Sequence, residues 1–133
     1  SGRQSPGSPS KRQPISHLPD PLFIQQMATF EGTPKEVLDN SDLINLLTPM
    51  IKRDFSLSEN YIPVAHLPLD CPVFALGARD DIWLDEHSLE KWRTVTSGAF
   101  QTRWFEGDHF YLKNQAPEFV SYLSNVVLML EKP

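Results

Sequence analysis

The sequence predicts an α/β fold built on a parallel sheet. Two short segments have the length and composition of β-strands: residues 72–76 are continuously apolar, and residues 100–105 alternate more between apolar and polar side chains. Residues 85–93 lie between them and repeat their apolar positions at helical spacing. A strand, a helix and a second strand in this order form a βαβ unit, whose two strands run parallel. A further apolar stripe over residues 117–130 is wide enough to pack on that sheet.

Acidic residues and a histidine follow the two predicted strands. Asp80 and Asp81 come after the first strand, and His109 comes after the second. Because the carboxyl ends of parallel strands lie at one edge of a sheet, we expect these loops to be neighbours. A carboxylate that binds a histidine ring holds it in the tautomer and orientation that general-base catalysis needs. For either loop taken alone, the more common interpretation is structural, with side chains that only form hydrogen bonds to the backbone. The placement of both loops at successive strand ends is what favours an acid–histidine pair.

A metal site is the second chemical interpretation of these loops. Its candidate ligands are Asp80, Asp81, Asp108 and His109, or Glu86 and His87 in the first turn of the intervening helix. Neither His-x-x-x-His nor His-Glu-x-x-His spacing occurs in the chain, although these spacings are typical of helical metal sites. We therefore expect no metal and no other cofactor. We expect Asp108 to form a turn, and Glu86 and His87 to lie on a solvated helix face.

Composition narrows the classes of partner. The chain has 133 residues, 40% of them hydrophobic, and a net charge of −5. This length suits one domain, and the negative charge argues against nucleic acid or an anionic membrane as the main partner. The single cysteine, Cys71, excludes an internal disulfide and fits a reducing compartment, and we expect it to be a small buried side chain. No signal peptide or membrane-spanning segment is visible.

Helices are predicted over most of the amino-terminal half. Residues 1–15 form a lead-in rich in Ser, Gly, Pro and Arg, and residues 63–68 form a connector. Between these two segments, a first helix begins with Asp20 as N-cap and Pro21 at the first helical position. Gly32 is expected to end it.

Two further helices are predicted before the connector. The sequence Thr33-Pro34-Lys35-Glu36 is a capping box, which indicates a short helix to about Leu38. Asn40 or Ser41 caps the next helix, in which Pro49 is expected to cause a kink or a restart. These short, interrupted helices fit either a cap over a site or ordinary core packing, and periodicity alone does not separate the two.

The predicted sheet is too small for the helices around it. Only two convincing strands are present, and a two-stranded parallel sheet is not independently stable. The wide apolar helix faces need a larger surface to cover. We therefore expect the chain to be the second half of a larger domain with an incomplete sheet.

Seven motifs in a fixed order connect the chain to a known family. They are residues 16–20 (SHLPD), 32–38 (GTPKEVL), 47–55 (LTPMIKRDF), 69–72 (LDCP), 77–81 (GARDD), 92–93 (WR) and 107–112 (GDHFYL). In their order and spacing they make the chain similar to the carboxy-terminal half of type II (external, editing) thioesterases. These are α/β-hydrolases that serve nonribosomal peptide and polyketide synthases. The resemblance covers nearly the whole chain.

The resemblance implies roles for two residues and for the main segments. In this family a serine is acylated, a histidine acts as the base and an aspartate orients the histidine. The matching motifs carry the histidine's role to His109 and the acid's role to Asp81, whereas a count of three residues from Gly77 favours Asp80 as the acid. Residues 16–62 would be a helical lid, and residues 63–133 the last βαβα part of the α/β-hydrolase core. One departure is Ile82, where the family often has proline.

The serine is the triad member for which no motif is found. The family carries it in Gly-x-Ser-x-Gly, and no two of the six glycines here are four residues apart. The resemblance therefore implies a fragment of a cytoplasmic serine thioesterase that removes acyl groups from the phosphopantetheine arm of carrier proteins. Its partners would be an acylated carrier protein and the missing amino-terminal half, and the chain alone would be inactive. The rival hypothesis is a non-catalytic module that binds an acyl chain or a carrier protein.

Overall fold

Two compact units make up the structure, a computed structural model that describes residues 3–30, 32–63 and 67–131. One unit is helical and consists of Arg12–Pro63. The other contains the sheet and combines Ser1–Lys11 with Val64–Pro133. The connector predicted over residues 63–68 falls partly on residues 64–66, which lie outside the described residues.

The helical unit contains α1 (Asp20–Ala28), α2 (Lys35–Leu38) and α3 (Ser41–Glu59). Both predicted ends of α1 are wrong by one or a few residues. Pro19 is the N-cap in place of Asp20, and the helix ends with Thr29 as C-cap instead of reaching Gly32. The Thr29 hydroxyl donates to the carbonyl oxygen of Gln26 at 2.7 Å. This bond satisfies a carbonyl at the helix end without a glycine.

The second and third helices begin in different ways. The N-cap of α2 is Pro34, which has no side-chain acceptor, so the predicted capping box with Thr33 as cap is wrong. At α3 the prediction of Asn40 as N-cap is confirmed. Its side-chain oxygen accepts the N–H of Leu43 at 3.0 Å, which satisfies one of the free donors of the first turn.

Pro49 lies inside α3 without ending it. The helix continues over 19 residues, so the predicted restart at Pro49 is wrong. Proline removes one intrahelical hydrogen bond, but the burial of a helix face can outweigh this loss. Thr48 is only 2% exposed, and its hydroxyl donates to the carbonyl oxygen of Ile44 at 2.7 Å. After the proline, the partly buried Ile51 and Phe55 pack against the same core, so the helix is held on both sides of Pro49.

Apolar side chains from α1 and α3 form the core of the helical unit. Phe23 is fully buried and Met27 is 2% exposed, and they cluster with Ile15 and Ile44. The ring of Phe55 meets that of Phe23 edge-on, with centroids 5.4 Å apart. The core therefore joins α1 to α3 and also includes the segment before α1.

Glu59 ties the end of α3 to the segment before α1. Its carboxylate oxygens accept the N–H groups of Ile15 at 2.8 Å and Ser16 at 3.1 Å. Burial alone would raise the pKa of Glu59, but hydrogen bonds from Ser16 and Ile15 outweigh it and hold the pKa below its usual value of 4.5. The ionised form of Glu59 is therefore the form that stabilises this contact.

The sheet unit is a βαβ unit followed by two helices. Its elements are β1 (Val73–Ala78), α4 (Glu86–Glu90), a 3₁₀ helix (Lys91–Val95), β2 (Phe100–Phe105), α5 (Tyr111–Asn114) and α6 (Ala116–Leu130). The strands are parallel and paired in register from Val73 opposite Phe100 to Ala78 opposite Phe105. The predicted bounds of the second strand are confirmed, while the first strand begins one residue later and ends two residues later than predicted.

Both faces of β1 are covered, which explains its uninterrupted apolar sequence. On one face, Leu76 and Ala78 pack with Phe105 and with aromatic side chains of α6. On the other face, Ala75 packs with Leu84 and Leu89, the latter from α4. The alternation of side chains along a strand divides these residues between two clusters.

Cys71 contradicts the sequence prediction, because its side chain is exposed. Its carbonyl oxygen accepts the hydroxyl of Thr96 at 2.6 Å. A Cβ on Gly98 would lie 2.9 Å from the same carbonyl oxygen, so glycine is needed for the close approach. The turn before β1 is thus held through its backbone, and the thiol does not enter the core.

The last helix is the most apolar one and is only partly covered. Its residues Val127, Leu128 and Met129 are each more than half exposed. Across residues 3–30, 32–63 and 67–131, no helix combines the length and the apolarity that crossing a membrane requires.

We predict that Glu59→Gln destabilises the helical unit in a pH-dependent way. The pKa of Glu59 is lowered on folding, so its contribution is present above 4.5 and is lost as the pH falls through the folded pKa. At pH 7 the substitution should lower the free energy of unfolding by about 1 kcal/mol. The three tryptophans lie in the sheet unit, so unfolding is followed by helical circular dichroism.

The matched control is Glu36→Gln, at an exposed position in the first turn of α2. It should change the unfolding free energy by less than about 0.5 kcal/mol. An equal loss from Glu59→Gln on both sides of its folded pKa would contradict the role of the ionised carboxylate.

Candidate active site

The two loops predicted to carry the site lie side by side at one edge of the sheet. The register places Ala78 opposite Phe105, the last residues of β1 and β2. Beyond the strands, the N–H of Arg79 donates to the Phe105 carbonyl oxygen at 3.0 Å. The N–H of Asp80 then donates to the Gly107 carbonyl oxygen at 3.0 Å. The loops therefore remain paired as they leave the sheet. This pairing fixes the backbone positions directly before Asp81 and His109.

Asp81 and His109 are in direct contact. The Nδ1 atom of His109 lies 2.7 Å from Oδ2 of Asp81. The Asp81 side chain is fully buried, whereas 38% of the His109 side chain is exposed. A buried carboxylate needs hydrogen-bond partners, and the histidine is one of them. The pair thus joins an interior acid to a ring that reaches the surface of this unit.

The second oxygen of Asp81 is also engaged. Oδ1 accepts the N–H of Trp83 at 2.9 Å, and the Asp81 carbonyl oxygen accepts the N–H of Leu84 at 3.2 Å. An aspartate that accepts the N–H two residues later forms an Asx turn. Rotation of the Asp81 carboxylate would break two hydrogen bonds at once, so its orientation toward His109 is fixed.

A tight turn precedes and includes His109. Gly107 has a φ of +96°, a conformation that residues with a Cβ rarely adopt. Asp108 accepts the N–H of Phe110 on its Oδ1 atom at 2.8 Å, so it forms the turn that was predicted for it. The turn directs the side chain of His109, and not that of Asp108, toward Asp81.

A buried aromatic anchor follows the turn. Tyr111 is fully buried, and its ring stacks on that of Phe105 with centroids 5.1 Å apart. Phe119 of α6 packs against both rings, at 5.7 Å from Phe105 and 5.9 Å from Tyr111. The chain is therefore anchored on both sides of His109, at Phe105 before it and at Tyr111 after it.

The other candidate residues lie outside the pair. Asp80 is exposed, and so are Glu86 and His87 at the start of α4, as predicted for a solvated helix face. Within the described ranges, no three His, Cys, Asp or Glu side chains lie close enough together to hold a metal ion. The site is thus described by two side chains, Asp81 and His109.

The chemistry available to the pair follows from the engaged nitrogen. With Nδ1 donating to Asp81, Nε2 of His109 is the ring nitrogen that can accept a proton from a nucleophile. The Asp81 carboxylate favours the protonated ring that forms during such a transfer. The arrangement is suited to general-base catalysis by His109 on a group presented at this edge of the sheet.

Sequence reasoning missed two supports of the site. Trp83 contributes its backbone N–H, a group that nearly every residue carries, so only its position two residues after Asp81 signals it. Tyr111 lies two residues after His109 in the apolar run Phe110-Tyr111-Leu112, for which the sequence analysis predicts no structural role. The apolar run is the sequence signal for the burial of Tyr111 against Phe105.

A buried acid and a partly exposed histidine at the ends of neighbouring parallel strands are typical of the α/β-hydrolase class. A comparison with family models places residues 1–126 in the family described as "Thioesterase domain". The chain belongs to the thioesterase family, and the predicted resemblance is confirmed.

Several proteins named after nonribosomal peptide or polyketide pathways are similar to this chain. The gramicidin S biosynthesis protein GrsT of Aneurinibacillus migulanus is 32% identical over 133 residues, with all of this chain and 52% of GrsT covered. Among solved structures, ClbQ from the colibactin pathway superposes with a TM-score of 0.86 at 28% identity, covering 96% of this chain and 54% of ClbQ. YbtT, the type II thioesterase of the yersiniabactin pathway, gives a TM-score of 0.80 at 28% identity, covering 92% of this chain and 50% of YbtT. The chain thus spans about half the length of the relatives it matches.

We predict that Asp81→Asn changes the tautomer of His109 in the isolated chain. An amide at position 81 can donate to Nδ1, which would move the ring proton to Nε2. Nitrogen-15 NMR of the imidazole ring reports directly which nitrogen carries the proton. Asp80→Asn is the matched control and should leave the Nδ1–H form unchanged. An Nε2–H form in the unsubstituted chain would contradict this assignment.

Proposed function

We propose that this chain supplies the acid and the base of a serine thioesterase. The enzyme would hydrolyse acyl groups from the phosphopantetheine arm of carrier proteins in nonribosomal peptide or polyketide synthesis. The observation that carries the proposal is the 2.7 Å contact between Asp81 and the Nδ1 atom of His109 in a chain of the thioesterase family. The naming of GrsT and YbtT after such pathways supports the choice of pathway.

In the proposed reaction, a serine from outside these 133 residues attacks the thioester carbonyl carbon. Nε2 of His109 accepts the serine proton as the new C–O bond forms, and Asp81 holds the ring and favours its protonated form. The C–S bond then breaks, and the imidazolium returns the proton to the leaving thiolate of the phosphopantetheine arm. Water attacks the acyl-serine in a second round that uses the same proton transfers and releases the carboxylic acid.

The helical unit is proposed to act as the lid of this enzyme. One face of α3 is buried in the unit's core, while Leu46, Met50 and Leu57 on the same helix are each more than half exposed. Exposed apolar side chains at helical spacing suit contact with an acyl chain or with a carrier protein. The same observation favours the alternative function, a non-catalytic module that binds such a partner. The enzyme is proposed to act in the cytoplasm, where carrier-protein substrates would be met.

We predict that Asp81→Asn lowers thioester hydrolysis by roughly three to four orders of magnitude in kcat. The assay uses this chain joined to a serine-bearing amino-terminal half of a relative and an acyl thioester as substrate. His109→Ala should be at least as severe, because it removes the base. Asp80→Asn is the control and should retain most of the turnover, since its exposed side chain lies outside the pair.

Two outcomes would overturn the proposed function or its assignment. If Asp80→Asn abolishes turnover while Asp81→Asn is mild, Asp80 is the acid. If neither aspartate nor His109→Ala affects turnover, the catalytic role fails and the binding-module function takes its place.

We also predict that the helical unit opens more readily than the sheet, because lids belong to the less stable parts of a fold. Amide hydrogen exchange should be faster in α1 to α3 than in residues 73–76 of β1. Exchange monitored by NMR on the unsubstituted chain gives both rates in one experiment. Equal protection in the two segments would indicate that these helices are ordinary core.

A further inference from the structure

The lead-in segment lies against the loop that carries Asp81. Residues 3–11 contain no helix or strand, yet Ser5 is only 4% exposed. The indole N–H of Trp92 donates to the carbonyl oxygen of Arg3 at 2.9 Å, which fixes the start of the segment. The carbonyl oxygen of Ser5 accepts the N–H of Ser8 at 3.1 Å in a turn. The segment is therefore an ordered part of the sheet unit.

Gln4 makes the contact that matters for the site. Its Nε2 atom donates to the carbonyl oxygen of Trp83 at 3.1 Å. The N–H of the same residue, Trp83, donates to Oδ1 of Asp81 at 2.9 Å, and Oδ2 of Asp81 contacts His109 at 2.7 Å. Three consecutive hydrogen bonds thus lead from the lead-in segment to the imidazole ring.

The two residues that flank Trp83 differ in burial. Ile82 is 75% exposed, so its burial contributes little to holding the turn. Leu84 is buried and fixes the far side. The Gln4 donor on the Trp83 carbonyl oxygen restrains a peptide segment whose movement would draw the Trp83 N–H away from Asp81.

A second contact ties the segment to the end of the same loop. Lys11 forms an ion pair with Asp85 at 2.7 Å. Hydrogen bonds from Lys11 and Ser88 hold the pKa of the Asp85 carboxyl well below its usual range. Both partners are more than 40% exposed, so the pair is worth little by itself.

We propose that Gln4 is a positioning residue for the Asp81–His109 pair. Acting through the backbone of Trp83, it holds the Asp81 carboxylate in the orientation that binds Nδ1 of His109. The catalytic meaning of this restraint rests on the proposed function, whereas the restraint itself is a property of the chain alone. Nothing in the residue types around Gln4 signals this role in the sequence.

The test uses Gln4→Met, which keeps the length of the side chain and removes the donor without adding charge. Gln4→Lys restores a donor of similar reach, and Gln13→Met is the matched control at an exposed position of the chain. Proton NMR of the His109 Nδ1–H in the unsubstituted chain and each variant gives its exchange rate with water. Thermal unfolding followed by tryptophan fluorescence is recorded in parallel.

For Gln4→Met we expect the His109 Nδ1–H to exchange roughly threefold to tenfold faster, the range that loss of one neutral hydrogen bond implies. Gln4→Lys should recover most of the protection, and Gln13→Met should match the unsubstituted chain. In the joined enzyme, Gln4→Met should lower kcat by a similar factor with KM unchanged, because the substrate is not contacted.

A merely structural role for Gln4 gives a different result. Gln4→Met would then lower the melting temperature while the exchange rate of the Nδ1–H stayed the same, and this outcome would overturn the proposal. So would equal exchange rates in Gln4→Met and Gln4→Lys, because the donor would then be irrelevant. If His109→Ala leaves turnover intact while the NMR effect of Gln4→Met is present, the proposed function fails and the positioning role stands.

Discussion

The parallel register of β1 and β2 is the constraint on which the site depends. It places Ala78 beside Phe105, so the loops after β1 and β2 leave the sheet at the same level. These loops remain paired as far as Gly107. Asp81 and His109 then follow within three and four residues of the strand ends, where short loops leave little freedom. A shift of the register by one residue would move one strand by about 3.3 Å relative to the other, which is more than a hydrogen bond tolerates. It would also exchange the side chains on the two faces of the shifted strand.

Packing around Tyr111 turns this constraint into a rigid position for the histidine. Complete burial of a large side chain is worth about 2–3 kcal/mol, and an aromatic pair such as Phe105 and Tyr111 adds about 1 kcal/mol. This energy lies beside the site and not in it. The Asp81–His109 contact itself therefore does not have to stabilise the loop, and His109 can keep one side of its ring exposed for a substrate.

Local sequence signals failed where one partner of the interaction is a main-chain group. Cys71 was expected inside because of its residue type, but the carbonyl groups of its turn make the contacts and leave the thiol outside. Gly32 was expected to end α1, but a threonine hydroxyl satisfied the helix end three residues earlier. Trp83 binds Asp81 through its backbone N–H, and Gln4 binds the backbone carbonyl oxygen of Trp83. The residue types of Trp83 and Gln4 therefore carried no information about the site.

The sequence by itself determined the α/β class, the bounds of β2, the presence of α1, α2 and α3, and the membership of the thioesterase family. These follow from periodicity, from Gly and Pro positions and from motif order, which are all local or linear properties. Only the tertiary structure decided that Asp81 and not Asp80 contacts His109. Only the tertiary structure also showed that Gln4 binds the Trp83 carbonyl oxygen, in the loop between β1 and α4. Adjacent side chains after a strand point in different directions, so this choice depends on strand twist, turn geometry and contacts with distant segments, which no local pattern encodes.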